Sequence, residues 1–446
     1  MCGIVGIFDT RGRTSMEDLR SMTGSISHRG PDDTGEYVDG SGRLLFGHQR
    51  LSIIDLSPSG HQPMSVGRFT ITYNGEIYNF KEIKEELQKS GVNFKGGSDT
   101  EVLLQAWQKW GGASVEKLRG MFAFAIWDAK DETLFLYRDR MGVKPLYFYL
   151  NDGLFIFASE IKAILKHPHV KKELDYDALA LFLELGYIPA PHSIFKHIRK
   201  LRPAHFLTVG SALESEEKVY WDINSSTGKV CDTEKAVLND LRELLIESCN
   251  LRMIADVPVG VFLSGGVDSS LVTTLLKHGG HDNISTFTIG FSDKGYDESA
   301  YARAVAKHLG TKHHELICTP KETKDIIPQL AHIYDEPFAD DSAIPTLLLA
   351  KFARGEVTAA LSADGGDEVF GGYERYNTTN RLYQKFSRLP LPSALGKLLP
   401  VFVGGKWQLA ADLFAAKNDL PATYAALRRY FRDHEIDCLL PGASSK

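Results

Sequence analysis

Cysteine is scarce in this chain, and no long apolar run occurs anywhere in it. The five cysteines (Cys2, Cys231, Cys249, Cys318 and Cys438) are odd in number, widely spaced and without CxxC pairs. They therefore give no zinc pattern, and they suit a reducing cytosol. No apolar stretch is long enough to span a bilayer. The apolar start is too short for a signal-peptide core, lacks a basic n-region and runs at once into Asp9. A cytoplasmic protein is expected, with no membrane partner. Basic blocks are missing too. A net charge of −6 over 446 residues argues against a chain that coats nucleic acid. Internal repeats and low-complexity tracts are absent. What is there is an ordinary globular composition, over a length that suggests roughly two to four domains.

The first two hundred residues read mostly as short strands bounded by Gly, Asn or Asp: RFTITY (68–73), TLFLYR (133–138), PLYFYL (145–150) and LFIFAS (154–159). Helical patterns fall at Asn79–Ser90 and Thr100–Trp110, the first with Phe80, Ile83 and Leu87 opposite a charged face. A polar, aperiodic stretch over 208–233 reads as a linker. Beyond it strands and helices alternate. A long helix (Glu234–Leu251) precedes the strand PVGVFL, the helix SSLVTTLLKHG, the strand TFTIGF (286–291), a helix near Glu298–Leu309 and the strand VTAALSADGG (357–366). Such alternation predicts a parallel, doubly wound α/β sheet.

Cys2 stands directly behind the initiator Met. If Met1 is removed, one residue carries both a thiol and a free α-amine. The amine titrates at about 7.7–8.0 and the thiol near 8.5, so the amine can take the thiol's proton. Taken alone, a second-position Cys is a small apolar residue at the start of a strand.

In the second half, SGGVDSS (264–270) lies between an apolar strand and an apolar-periodic helix. Gly265 and Gly266 allow a tight turn and close backbone approach, and the helix N-terminus offers N–H groups to phosphate. Ser264, Ser269 and Ser270 add hydroxyls. Asp268 is at odds with a phosphate cradle unless a cation such as Mg2+ bridges it. The blander reading is a Gly-rich turn with a Ser/Asp cap. The string resembles the loop of ATP-pyrophosphatases, which make acyl-adenylates. A second strand ends in SADGGDEVFGGY (362–373), where Asp367 is the natural second Mg2+ ligand and Asp364 a candidate on which adenylation depends.

In the first half, MCGIVGIFD, HRGPDD (28–33), GHQRLSIIDLS (47–57), YNGEIYN (73–79), SDTE (98–101), GMFAFAIWD (120–128) and RDRMGVKPLY (138–147) follow one another. In this order they resemble a class II glutamine amidotransferase domain. The resemblance implies an N-terminal-nucleophile αββα sandwich, an α+β fold, over residues 2–207, with an ATP-pyrophosphatase-like domain over 234–446. It also implies Cys2 as nucleophile and the Asn74 side chain with the Gly75 N–H as oxyanion donors. Arg50 would meet the glutamine α-carboxylate, Glu76 and Asp99 its α-ammonium, and Leu51 and Ile53 would add backbone contacts. Standing alone, Asn74-Gly75 would read as a hairpin turn and Arg50 as a surface arginine.

Together the halves resemble the glutamine-dependent asparagine synthetases of the bacterial B type. That implies glutamine, aspartate and ATP–Mg2+ as reactants, a β-aspartyl-AMP intermediate and internal transfer of ammonia. Leu263, Ile289, Ser362 and Ala363 match positions that frame the ATP. Members of this family often pair as homodimers. Two departures stand out. The second loop reads Ser-Ala-Asp-Gly where many synthetases have Ser-Gly-Glu-Gly. Asp340 and Asp341 stand where an arginine would meet the acceptor's carboxylate; an N-cap for the next helix is their other reading. These departures keep a carboxylated sugar open as the acceptor. Family members also usually continue well beyond LLPGASSK, so the synthetase domain is expected to be incomplete at its C-terminus, and a glutaminase-only fragment stays open. A β-lactam synthetase ranks lower because that related group does not keep the N-terminal Cys, and a non-enzymatic scaffold ranks last because it would not need Cys2, Arg50, Asn74, Asp99 and Asp268 all together.

Overall fold

In a computed structural model, residues 1–225, 233–293, 295, 297–389 and 408–443 are described. Two six-stranded antiparallel sheets form from the first 219 residues. The first runs Ile198–Lys200, Tyr147–Asn151, Leu154–Ala158, Gly3–Asp9, Leu44–Arg50, Asp33–Val38. The second runs Ser215–Val219, His205–Val209, Thr133–Arg138, Gly120–Asp128, Phe69–Ile77, Met64–Val66.

Side-chain alternation along these strands builds the layers. Ile4, Phe8, Leu44 and Phe46 of the first sheet face Ala123, Ala125, Trp127, Leu134 and Leu136 of the second. Their neighbours Val5, Ile7 and Leu45 point outward onto Leu19 and Met22 of the helix Met16–Gly24 and Ile161 and Ile164 of the helix Ile161–Leu165. On the far face of the second sheet, Ile71, Tyr73, Phe122 and Phe124 pack on the helices Phe80–Lys89 and Asp99–Trp110. The result is helix, sheet, sheet, helix, the αββα sandwich expected. The Gly3–Asp9 strand is buried along its whole length, and a Cβ on its Gly6 would overlap the Phe157 ring.

The stretch 208–233 corrects the linker reading at its start. His205–Val209 pairs with Ser215–Val219 and extends the second sheet. Its polar pattern belongs to an edge strand, which needs one buried face at most. Residues 226–232, the remaining core of that stretch, lie outside the described residues.

After the helix Glu234–Leu251 a four-stranded parallel sheet forms in the order Lys312–Cys318, Ser285–Phe291, Val259–Phe262, Ala359–Leu361. The chain winds outward in one direction from Val259–Phe262, then returns to add Ala359–Leu361 on its other side. The strand order therefore reverses between those two, and the loops after them flank the crevice where open α/β sheets bind ligands. Among the described residues, no helix is long and apolar enough to cross a membrane.

Candidate active sites

Cys2 enters the inner strand of the first sheet, and its thiol sits at the end of the sandwich. The Leu51 N–H donates to its Sγ at 3.4 Å, and the thiol faces the Leu51 carbonyl at 3.6 Å. Burial pushes the thiol's pKa up, against the pull of the Leu51 contact and of the Met1 amine. That amine is itself pushed down to about 5 by burial. With Met1 in place the Cys2 nitrogen is an amide and has no basicity to offer. Arg29 Nε donates to the Cys2 carbonyl at 2.8 Å and is itself held by Glu160 at 2.7 Å.

One pocket is lined by Cys2, Arg50, Leu51, Ile53, Asn74, Gly75, Glu76 and Asp99, so all eight residues expected around the glutamine are brought together. They come from four separate stretches. Asn74 and Gly75 lie inside the nine-residue strand Phe69–Ile77, paired with Ala123 and Phe122, so the hairpin-turn reading fails. The Asn74 Nδ2 is buried without a partner, and an amide donor left idle beside a thiol is what an oxyanion site requires. Arg50 is 6% exposed, not a surface arginine. Its guanidinium donates to the carbonyl of Ser57 at 3.1 Å and to that of Asp55. Asp99 opens its helix and accepts from the Tyr73 hydroxyl at 2.8 Å and the Ile77 N–H at 2.9 Å. Burial raises the pKa of Asp99 and of Glu76; the nearby Lys144 ammonium works against the rise at Glu76.

Sequence reasoning did not single out Lys144 or Gln62, which line this pocket, or His48, which lies behind it against Tyr73. Lys144 is buried, lines the pocket and has its pKa lowered by burial. Gln62 accepts from the Tyr73 N–H at 2.7 Å and donates to the Thr100 hydroxyl at 3.2 Å. His48, which burial holds neutral at a pKa of about 4, meets the Tyr73 carbonyl through Nε2 at 3.1 Å. Lys144 and His48 lie inside recognised motifs, but their spacing gives no sign of their inward direction.

A second, wider pocket lies at the strand crossover. It is lined by Leu263, Ser264, Gly266, Asp268, Ser269, Ile289, Ser362, Ala363, Asp364 and Asp367, all expected there, and by Thr288, Glu298 and Thr346, which were not. Two expected residues do not line it. Gly265, at φ +85°, turns against Tyr301 and Ala302, and the buried Ser270 hydroxyl has no partner. Gly265 thus makes the turn and the close packing, while its neighbours face the cavity. Ser264 and Ser269 share a 3.0 Å hydroxyl contact. Asp364 accepts from the Ser362 hydroxyl at 2.7 Å. A Cβ on Gly366 would lie 2.7 Å from an Asp268 oxygen, so the two loops meet at that carboxylate. Asp340 and Asp341 are exposed and do not line the pocket; Asp340 accepts from the Ser342 N–H at 2.8 Å, just ahead of the helix Ala343–Ala353. That is a turn contact.

Comparison with known proteins also finds two parts. A family described as glutamine amidotransferase domain matches residues 1–221, and one described as asparagine synthase matches residues 240–437. A putative glutamine-hydrolysing asparagine synthetase of Methanocaldococcus jannaschii is 39% identical over 94% of this chain and 83% of its own length. Glutamine-hydrolysing asparagine synthetase 1 of Bacillus subtilis is 38% identical over 90% of this chain and 62% of its own. A putative glutamine-hydrolysing asparagine synthetase of Mycobacterium tuberculosis is 33% identical over 99% of this chain and 71% of its own.

Proposed function

This chain belongs to the glutamine-hydrolysing asparagine synthetase family, and on that premise we propose that it converts aspartate, glutamine, ATP and water to asparagine, glutamate, AMP and pyrophosphate. The observation that carries this reading is the gathering of Cys2, Arg50, Asn74 and Asp99 from distant segments into one pocket, with the phosphate-loop residues in another.

Removal of Met1 frees the Cys2 amine, which takes the thiol's proton. The thiolate adds to the side-chain amide of glutamine, and the tetrahedral oxyanion is met by the Asn74 amide and the Gly75 N–H. The C–N bond breaks, ammonia leaves with a proton from the Cys2 amine, and water hydrolyses the thioester to glutamate. Arg50 takes the α-carboxylate and Glu76 with Asp99 the α-ammonium; a carboxylate must be ionised for this, and the incoming ammonium opposes the burial that raises both pKa values. In the second pocket the β-carboxylate of aspartate adds to the α-phosphorus of ATP and pyrophosphate leaves. Ammonia then displaces AMP from the acyl carbon. The Gly266–Ser269 N-terminus of the helix Val267–His278 cradles the phosphates.

Asp268 and Asp367 would hold Mg2+, which would shield phosphate charge as pyrophosphate departs. Their donor set fits. Two carboxylates face one cavity, and Mg2+ takes one or two carboxylates together with phosphate oxygens. Among the described residues no cluster of three or more metal-ligating side chains exists, so phosphate and water must complete the shell.

The described lining of this pocket carries acids and hydroxyls and no lysine or arginine to meet the α-carboxylate of aspartate. This supports a carboxylated sugar as the second reading of the acceptor. Pyrophosphate release with ATP, Mg2+ and ammonium decides between them. Dependence on aspartate is expected. Release that ignores aspartate and responds to a uronic acid would replace the first reading.

A further inference from the structure

The wall of the glutamine pocket leans on a residue of the other domain. Leu51, Ile53 and Ile54 line that pocket from the loop that follows Arg50. Asp256, in the turn between the helix Glu234–Leu251 and the strand Val259–Phe262, grips this loop twice. Its N–H donates to the Ile53 carbonyl at 2.8 Å, and its Oδ2 accepts the Asp55 N–H at 2.8 Å. The two bonds bracket Ile54, and Ile54 and Ile254 pack on the same core cluster as Tyr73.

Asp55 is where the grip matters. It has φ +57°, a conformation that a non-glycine residue keeps only when its surroundings hold it. Its carboxylate accepts from the Ser57 N–H at 3.0 Å, the Ser59 hydroxyl at 2.8 Å and the Gly97 N–H at 2.9 Å. Its carbonyl accepts from the Arg50 guanidinium. Asp256, Asp55 and Arg50 therefore form a continuous chain of hydrogen bonds from the synthetase domain to the group that faces the glutamine carboxylate. Asp256 in turn lies just ahead of a strand fixed between two parallel neighbours and leading straight into the phosphate loop.

We propose that Asp256 is a positioning residue of the glutaminase: by holding the Asp55 N–H it sets the Arg50 guanidinium, so the glutamine pocket is completed by the synthetase domain. This rests on the reading that the Cys2 pocket takes glutamine. In the full chain, Asp256→Ala is expected to raise the glutamine KM for glutamate release about fivefold, the worth of one exposed hydrogen bond, with kcat and Tm near wild type. Asp256→Asn keeps an acceptor oxygen and restores the wild-type KM. In parallel, hydrogen exchange at the Asp55 amide is faster in the alanine variant. An unchanged KM overturns the proposal, as does a joint fall of kcat and Tm that Asn does not rescue. If the wild-type chain hydrolyses no glutamine, the reading of the pocket fails. The Asp55 exchange rate then still decides whether Asp256 holds the loop, and equal rates would refute it.

Discussion

At single residues, the Cys2 pocket depends on groups that hold other groups. A Cβ on Gly60 would overlap the Arg50 guanidinium nitrogens, which are pinned by the Asp55 and Ser57 carbonyls. Gly60→Ala should therefore push Arg50 off its site and raise the glutamine KM about tenfold, with kcat little changed; glutamate release at graded glutamine concentrations measures both. Glu160 is a second case. Burial pushes its carboxyl up, but hydrogen bonds from His28, Lys162 and Arg29 outweigh it and bring the pKa from 4.5 to about 2. A folded value below the unfolded one means the stabilisation is complete above about 4.5 and fades as pH falls toward 2. Glu160→Gln should flatten that part of the stability-versus-pH curve, read by chemical denaturation from pH 2 to 6. An unaltered curve would rule out Glu160 as the source.

At the level of elements, the sandwich puts every strand of the site under load from the core between the sheets. Phe46 is fully buried there and meets the Phe157 ring edge-on at 5.7 Å, two residues before His48 and four before Arg50. Phe46→Ala should cost about 3–5 kcal/mol of stability in urea denaturation. In the parallel sheet, Gly265 combines φ +85° with a Cβ position 2.5 Å from the Ala302 nitrogen. Gly265→Ala should weaken ATP use at least about tenfold, seen as a raised ATP KM in pyrophosphate release, while glutamine hydrolysis stays intact. Helices and strands of strong period were legible here: the helix Glu234–Leu251 is where the pattern put it. The hairpin over 205–219 was not, because an exposed edge strand carries little apolar alternation.

For the whole molecule, two pockets on two folds predict separable activities. Cys2→Ala should abolish glutamine-dependent synthesis and leave ammonia-dependent synthesis near wild type; loss of both would contradict independent chemistry. The domains are nevertheless clasped. Lys162 Nζ lies 2.7 Å from Glu160 and 3.3 Å from Asp335, Lys200 pairs with Glu336, and Arg119 meets Glu247 at 2.7 Å. With the Asp256 contacts, these ties run from the Cys2 carbonyl, through Arg29 and Glu160, into the segment ahead of the second pocket.

Reading the chain alone gave the two-part division, and it named eight residues that line the Cys2 pocket and ten that line the second. Those residues sit in contiguous motifs whose order is a property of the chain. Only the tertiary structure decided that Asn74-Gly75 is strand and not turn, because pairing with Ala123 and Phe122 overrides a local turn preference. It alone brought in Lys144, His48 and Gln62, whose inward direction depends on packing against distant strands. It also showed Asp340 in a turn contact with Ser342, and it joined Asp256 to Asp55 across 201 residues, a contact no local pattern encodes.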